Sequence, residues 1–249
     1  MQACRLIRVE APLYLALTAA SPFLDDRVTG YHSTRWKMFP KTPKEVPVFF
    51  NHQHYIEWTR EQMILGTMQN VRHLWSSVRP NGPERPTKLN RLELRICDLV
   101  VDPISLLAVT ALLEARLAQL FASQELDPLI SSKFSASELT KITDKNEELV
   151  SINSLDAILT HWQNGQSIRA RDWIENIYHE VWPLSKELGF SCFLSPLKKI
   201  LTDGNQAQQW LFLYNSGISI KEIIKQSILD LAKQEANLAE AICKATLLY

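Results

Sequence analysis

From residue 88 to residue 98 apolar and charged side chains alternate. Leu92, Leu94 and Ile96 fall on one side at period two, and Arg91, Glu93 and Arg95 fall on the other, a pattern that predicts a β-strand. The preceding stretch VRHLWSSVRP places His73, Trp75, Ser77 and Arg79 on one side in the same way and predicts a second strand. The about nine residues between the two suit an irregular hairpin connection more than a tight turn. A one-residue slip would bury three charges, so the register is strongly specified. Beyond Asp102 and Pro103, a good N-cap followed by a good first helical residue, the alternation stops. The segment is then apolar nearly all round to Leu113, which predicts a deeply buried helix. Residues 167–188 read as another helix with Ile174, Ile177, Val181, Leu184 and Leu188 inward, Pro183 as a kink and Gly189 as the stop. Residues 220–246 read as a long C-terminal helix striped by Ile220, Ile223, Ile224 and Leu231. Residues 37–47, 80–87 and 131–146 read as loops, the last also as a boundary. Residues 1–130 are thus expected to form a sheet domain and 131–249 a mainly helical part packed on it. Strands early and helices late make the expected class α+β, with helices on one face of an antiparallel sheet.

Composition narrows the possible roles. At 46% hydrophobic and 22% charged, the 249 residues can bury a real core, which excludes disorder over most of the length. Lysine plus arginine and aspartate plus glutamate both number 27, and this balance argues against a chain-wide nucleic-acid or polybasic membrane role. The apolar, uncharged run at residues 11–24 has 14 residues, short of the ~20 that span a bilayer, so no transmembrane segment is expected. Arg5 and Arg8 before APLYLALTAA give a faint likeness to a signal peptide, but Glu10 beside the run and Pro12 inside it favour an amphipathic helix packed on the core. Cys4, Cys97, Cys192 and Cys243 form no C-x-x-C pair, so zinc and redox spacings are absent. Free cysteines fit a reducing compartment, with the cytoplasm as the default expectation.

The charged face of the strand at 91–96 is where chemistry is most expected. A strand with an aliphatic face, followed by a helix apolar all round, reads as central. Three charges on its other face then imply a cavity, or else a wet surface on which Glu93 pairs with Arg91 or Arg95. His52 and His54 could meet as metal ligands, but with no third ligand in view a polar loop is the better reading. The tryptophans read as core and groove aromatics, because no basic stripe accompanies them. Cys97 reads as a small buried residue, since no nearby histidine would activate it. No glycine-rich phosphate loop is present.

RLELRICD, with LWSSVRP before it, resembles the E-x-R-x-C-D strand of glutamate–cysteine ligases of the plant and bacterial type. ALTAASPFLDDRVTGYHSTRW is similar to the serine-proline-phenylalanine segment of that family, and NSLDAILTHWQNG to its helical C-terminal part. The likeness runs from about Leu6 to about Trp182 and is closest to the cyanobacterial branch. It implies an antiparallel sheet of the glutamine-synthetase-like carboxylate–amine ligase type with a helical C-terminal part. It also implies ATP-dependent ligation of the glutamate γ-carboxylate to the cysteine amine through a γ-glutamyl phosphate, the first step of glutathione biosynthesis. ATP and magnesium are the implied cofactors and glutamate and cysteine the implied partners, with no nucleic acid and no membrane. Under the resemblance Glu93 is a magnesium ligand, and Arg95 binds a substrate carboxylate or the acyl phosphate. Arg79 neutralises the transferring phosphate, its other reading being a loop anchor before Pro80. Arg35 binds an amino-acid carboxylate, its other reading being a surface arginine stacked on Trp36. Family members carry a further N-terminal strand with paired glutamates that helps to hold magnesium. The chain therefore looks like the C-terminal two-thirds of such an enzyme. It is expected to lack the N-terminal strands and to be inactive alone, or to be a non-catalytic ligase-like module, and the acceptor amine stays open.

Overall fold

Helix α1 (Gln2–Thr18) lies in the middle of the molecule, with every residue from Cys4 to Thr18 buried. Its charges are inside with the rest, so the helix is not amphipathic in the expected sense. Each charge has a buried partner from far along the chain. Arg5 Nε donates to Asp127 at 2.8 Å, Arg8 pairs with Glu147 and, at 2.6 Å, with Asp144, and Arg116 donates to Glu10 at 2.6 Å. Trp162 Nε1 adds a hydrogen bond to Glu10 at 3.3 Å. A buried charge is tolerated when it is paired and hydrogen-bonded in this way.

The computed structural model describes residues 1–246. After α1 come a short hairpin of β1 (Phe23–Leu24) and β2 (Arg27–Val28), then α2 (Thr34–Lys37) and α3 (His52–Ile64). A second hairpin joins β3 (Val78–Asn81) to β4 (Arg91–Leu94), and α4 (Pro103–Ala122) follows with Asp102 as its N-cap. Next are α5 (Pro128–Ser131) and α6 (Ala136–Asn153), then a third hairpin of β5 (Ile158–Thr160) and β6 (Ser167–Arg169). The remainder is helical: α7 (Ala170–Glu187), α8 (Ser191–Leu194), α9 (Leu197–Asp203), α10 (Gln206–Asn215) and α11 (Ile220–Thr246).

The described strands pair only within these three antiparallel hairpins. The architecture is mostly helical with small sheets, where strands early and helices late were expected. The stretch read as the first strand opens instead on a 3₁₀ turn, Val71–His73, capped by the Asn70 side chain, and becomes strand only at Val78. Residues 131–146 are not a loop. Ser135 and Glu138 form a capping box that starts α6, and α6 packs along α1. Residues 167–169 belong to β6 rather than to the helix after it, whose buried face includes Trp173, Ile174, Ile177 and Val181 while Leu188 is exposed. Gly189, at φ +81°, stops that helix as expected.

Helix α4 departs from its expectation too. Its first turn is open, with Ile104, Leu106 and Leu107 exposed, and burial begins at Ala108. Among the described residues α4 is the one helix long and apolar enough to cross a membrane by length and composition, a test that core helices also pass. Its buried Arg116 joins α1 through Glu10, and its inner face packs on α7 and α8, which is the behaviour of a core helix. One hydrophobic cluster runs from Cys4 on α1 to Leu201 on α9. A smaller one gathers Val46, Phe49, Tyr55, Trp58, Met68 and Leu74 beneath α3, beside the β3–β4 hairpin. Of the long helix α11, Ile223 is buried while Ile224, Ile228 and Leu229 are exposed.

Candidate functional site

The alternation read between residues 88 and 98 sets the geometry of the β3–β4 hairpin. Leu92 and Leu94 pack against the main core, and the charged residues take the other face. Pairing places Arg79 opposite Glu93 and Val78 opposite Leu94. Arg79 Nε donates to one Glu93 oxygen at 2.6 Å, and the Asn81 amide donates to the other. Arg79 Nη1 also donates to the carbonyls of Arg72 at 3.1 Å and Leu74 at 3.0 Å. Arg95 Nη1 shares the Leu74 carbonyl at 3.2 Å, and its guanidinium lies 5.6 Å from the centre of the Phe39 ring. Arg91 is exposed, and among the described residues its side chain bonds the Asn90 side chain alone, so it belongs to the wet surface.

The electrostatics of this face are lopsided. Partial burial pushes the Glu93 carboxyl upward, but hydrogen bonds from Arg79 and Asn81 and the charges of Arg79 and Arg85 outweigh it and hold the group below the usual carboxylate range. Burial, and then the like charge of Arg79, draw the Arg95 and Arg85 guanidiniums below their ordinary values. Arg79, Arg85 and Arg95 thus lie near one carboxylate, with Arg72 adding its charge beside Arg85. Such a surface favours an incoming anion.

Arg35 sits next to this face but is held by its own partner. Its Nε donates to Asp98 at 2.7 Å, Nη2 donates to the Ile96 carbonyl, and the guanidinium lies 5.9 Å from the Trp36 ring centre. Trp36 stacks on Phe39 at 4.6 Å, and Phe39 meets Trp75 at 6.1 Å, an aromatic shelf between Arg35 and Arg95. Asp98 is buried and accepts three further hydrogen bonds: the Ala20 N–H at 2.9 Å, the Ser21 hydroxyl at 2.7 Å and the Ser33 hydroxyl at 2.8 Å. It fastens residues 20–21, 33–35 and 96–98 together. Reading the sequence did not single it out, although it stands at the end of RLELRICD.

His52 and His54 are not on a loop. They open α3, with Asn51 as the N-cap, and two residues apart on a helix they point away from each other. A ring nitrogen of His52 meets the Pro86 carbonyl at 2.7 Å, and His54 Nδ1 accepts the Phe50 N–H at 3.1 Å. Burial lifts the Cys97 thiol to about 11, which keeps it protonated at neutral pH.

Magnesium is held by one or two carboxylates together with phosphate oxygens and waters. Here the strand offers one carboxylate, Glu93, with both oxygens engaged and arginines around it. Among the described residues no group of three His, Cys, Asp or Glu side chains gathers. The described residues do not fit a magnesium site as they stand.

A family model described as glutamate–cysteine ligase family 2 matches residues 1–234. Relatives include "Putative glutamate--cysteine ligase 2" of Solibacter usitatus, 28% identical over 221 residues, covering 87% of this chain and 54% of that protein. A protein of the same name from Gloeobacter violaceus is 26% identical over 229 residues, covering 90% and 58%. The chain spans about half the length of the curated relatives it matches. A crystal structure of glutamate–cysteine ligase from Francisella tularensis in complex with AMP is similar in fold, with a TM-score of 0.63 at 13% identity over 99% of this chain and 63% of that one.

Proposed function

The chain belongs to glutamate–cysteine ligase family 2, and on that premise we propose that it serves the ATP-dependent joining of the glutamate γ-carboxylate to the amine of cysteine. In that reaction a carboxylate oxygen attacks the γ-phosphorus of ATP and ADP leaves. The amine nitrogen then attacks the carbonyl carbon of the acyl phosphate, inorganic phosphate leaves and the amine loses a proton. The protein's task is to hold anions in line and to balance charge as it moves.

The observation that carries the reading is the cationic face of the β3–β4 hairpin. Arg95 donates only to the Leu74 carbonyl among the described residues, so most of its planar fork is free for a carboxylate or phosphoryl group. Arg79 is fixed by Glu93 and two carbonyls, and its charge is turned to the same face. Arg35, bound to Asp98, stands at the edge where an amino-acid carboxylate would meet it. No step is assigned to magnesium through Glu93. The free cysteines fit action in the cytoplasm.

A second reading, a ligase-like module without catalysis, draws on the engagement of both Glu93 oxygens inside the protein. One assay separates the two: ADP release in the presence of ATP, magnesium, glutamate and cysteine, repeated with other amines in place of cysteine. Glutamate-dependent ADP release supports the ligase, and the amine that raises it most identifies the acceptor. Anion binding without ADP release supports the module.

A further inference from the structure

Arg85 lies on the connection between β3 and β4, outside each motif that carries the family likeness. The connection is tied down at several points. Asn81 at its start holds Glu93, the His52 ring meets the Pro86 carbonyl, and the backbone at Gly82 passes so close to Lys88 that an added Cβ would lie 2.1 Å from the Lys88 carbonyl oxygen. Arg85 itself is unsatisfied. Among the described residues it makes no hydrogen bond and no ion pair, and its Nε is buried without a partner. Its surroundings repel it. Arg79 and Arg72 are like charges, and the nearby Glu93 has both oxygens engaged elsewhere. The Tyr55 hydroxyl, fully buried on α3 one turn beyond His52, has no partner either, and the residue neighbours Arg85.

Buried polar groups nearly always find partners, and a part-buried cation without an acceptor beside other cations is costly. An oxyanion at Arg85 removes that cost. Arg79 is a poor candidate for the same task, because its Nε and Nη1 are already engaged. We propose that Arg85 is a further guanidinium, beside Arg95, that receives the incoming oxyanion, phosphoryl or carboxylate, on the β3–β4 face. The assignment rests on the ligase reading for the nature of the anion, but not for its existence.

The test measures binding of inorganic phosphate, ADP and glutamate, each alone, by calorimetry to the wild type, Arg85→Gln and Arg91→Gln, together with each protein's melting temperature. The expected result is at least a tenfold loss of affinity in Arg85→Gln for the phosphate-bearing probes or for glutamate. Its melting temperature should be equal to or above wild type, because like-charge crowding is relieved. Arg91→Gln should bind as wild type. Loss confined to phosphate and ADP makes the ligand group phosphoryl, and loss confined to glutamate makes it carboxylate. The proposal is overturned by wild-type binding in Arg85→Gln, by an equal loss in Arg91→Gln, by a fall of several degrees in melting temperature, or by a wild type that binds none of the three probes. Loss of binding in Arg85→Gln without any glutamate-dependent ADP release from the wild type would uphold the anion site and remove the ligase reading. ADP release with unchanged binding would do the reverse.

Discussion

Glu93 and Arg95 stand two residues apart on one strand face, yet the protein uses them differently. Glu93 accepts from Arg79 and Asn81, so Glu93→Gln removes the charge and half of the acceptor capacity at once. A hydrogen bond to a charged group contributes about 1.5–3 kcal/mol, and partial exposure of this one places the expected loss near 1 kcal/mol, measurable by urea unfolding. The sign with pH follows from the lowered carboxyl. Its contribution is complete above the ordinary carboxylate value of about 4.3 and is lost as pH falls through the held-down value, so the variant should lose this slope. Arg95→Lys keeps the charge but loses the planar fork over Phe39. Glutamate or phosphate affinity should fall about tenfold or more, and unchanged affinity and turnover would mark Arg95 as structural. Period-two alternation made both residues legible. Asp98 and Arg85 were not, because their roles depend on which distant segments a turn brings beside them, and periodicity carries no such information.

Helix α6 shows how an element can hide in plain sequence. Its inward positions include Thr143, Asn146 and Glu147, polar residues that read as loop. Glu147 is buried because α1 brings Arg8 to meet it, and Asn146 because its side-chain amide bonds both the carbonyl and the N–H of Thr160. Arg8 bonds Glu147, Asp144 and, at 2.8 Å, the Ser77 hydroxyl, while Lys41 reaches Glu147 at 2.8 Å. The one legible signal was the Ser135-x-x-Glu138 capping box. Two outcomes follow at this scale. Glu147→Ala leaves Arg8 and Lys41 short of a buried anion and should cost about 3 kcal/mol in chemical denaturation. Burial alone would raise the Glu147 carboxyl, but Arg8 and Lys41 hold it down. The clamp is therefore fully formed above about pH 4.3 and weakens as pH falls further, so melting curves of wild type and variant should converge in acid. Ser135→Ala should cost about 1 kcal/mol through the lost cap.

At the scale of the molecule, the expected broad sheet gave way to three hairpins threaded among helices. Strand pairing could be read locally, but the sequence did not say that one core would run from α1 through α4, α6 and α7. The early strand block was therefore overweighted. Asp98 is where long-range assembly is most concentrated, with four donors from two segments closing on one carboxylate. Asp98→Asn should cost about 2 kcal/mol and free Arg35, and limited proteolysis should cut residues 20–35 faster than in wild type.

The Asp98 arrangement bears on how such chains are counted in genomes. The residue that closes the tell-tale octapeptide is there to hold three pieces of backbone together, not to meet a substrate. A pseudoenzyme descended from a working ancestor would still need it in order to fold, and would keep that aspartate long after its anion-binding arginines had drifted. Surveys that count the aspartate as a mark of catalysis would then tally architecture, and the state of Arg95 and Arg85 would be the better discriminator between the two.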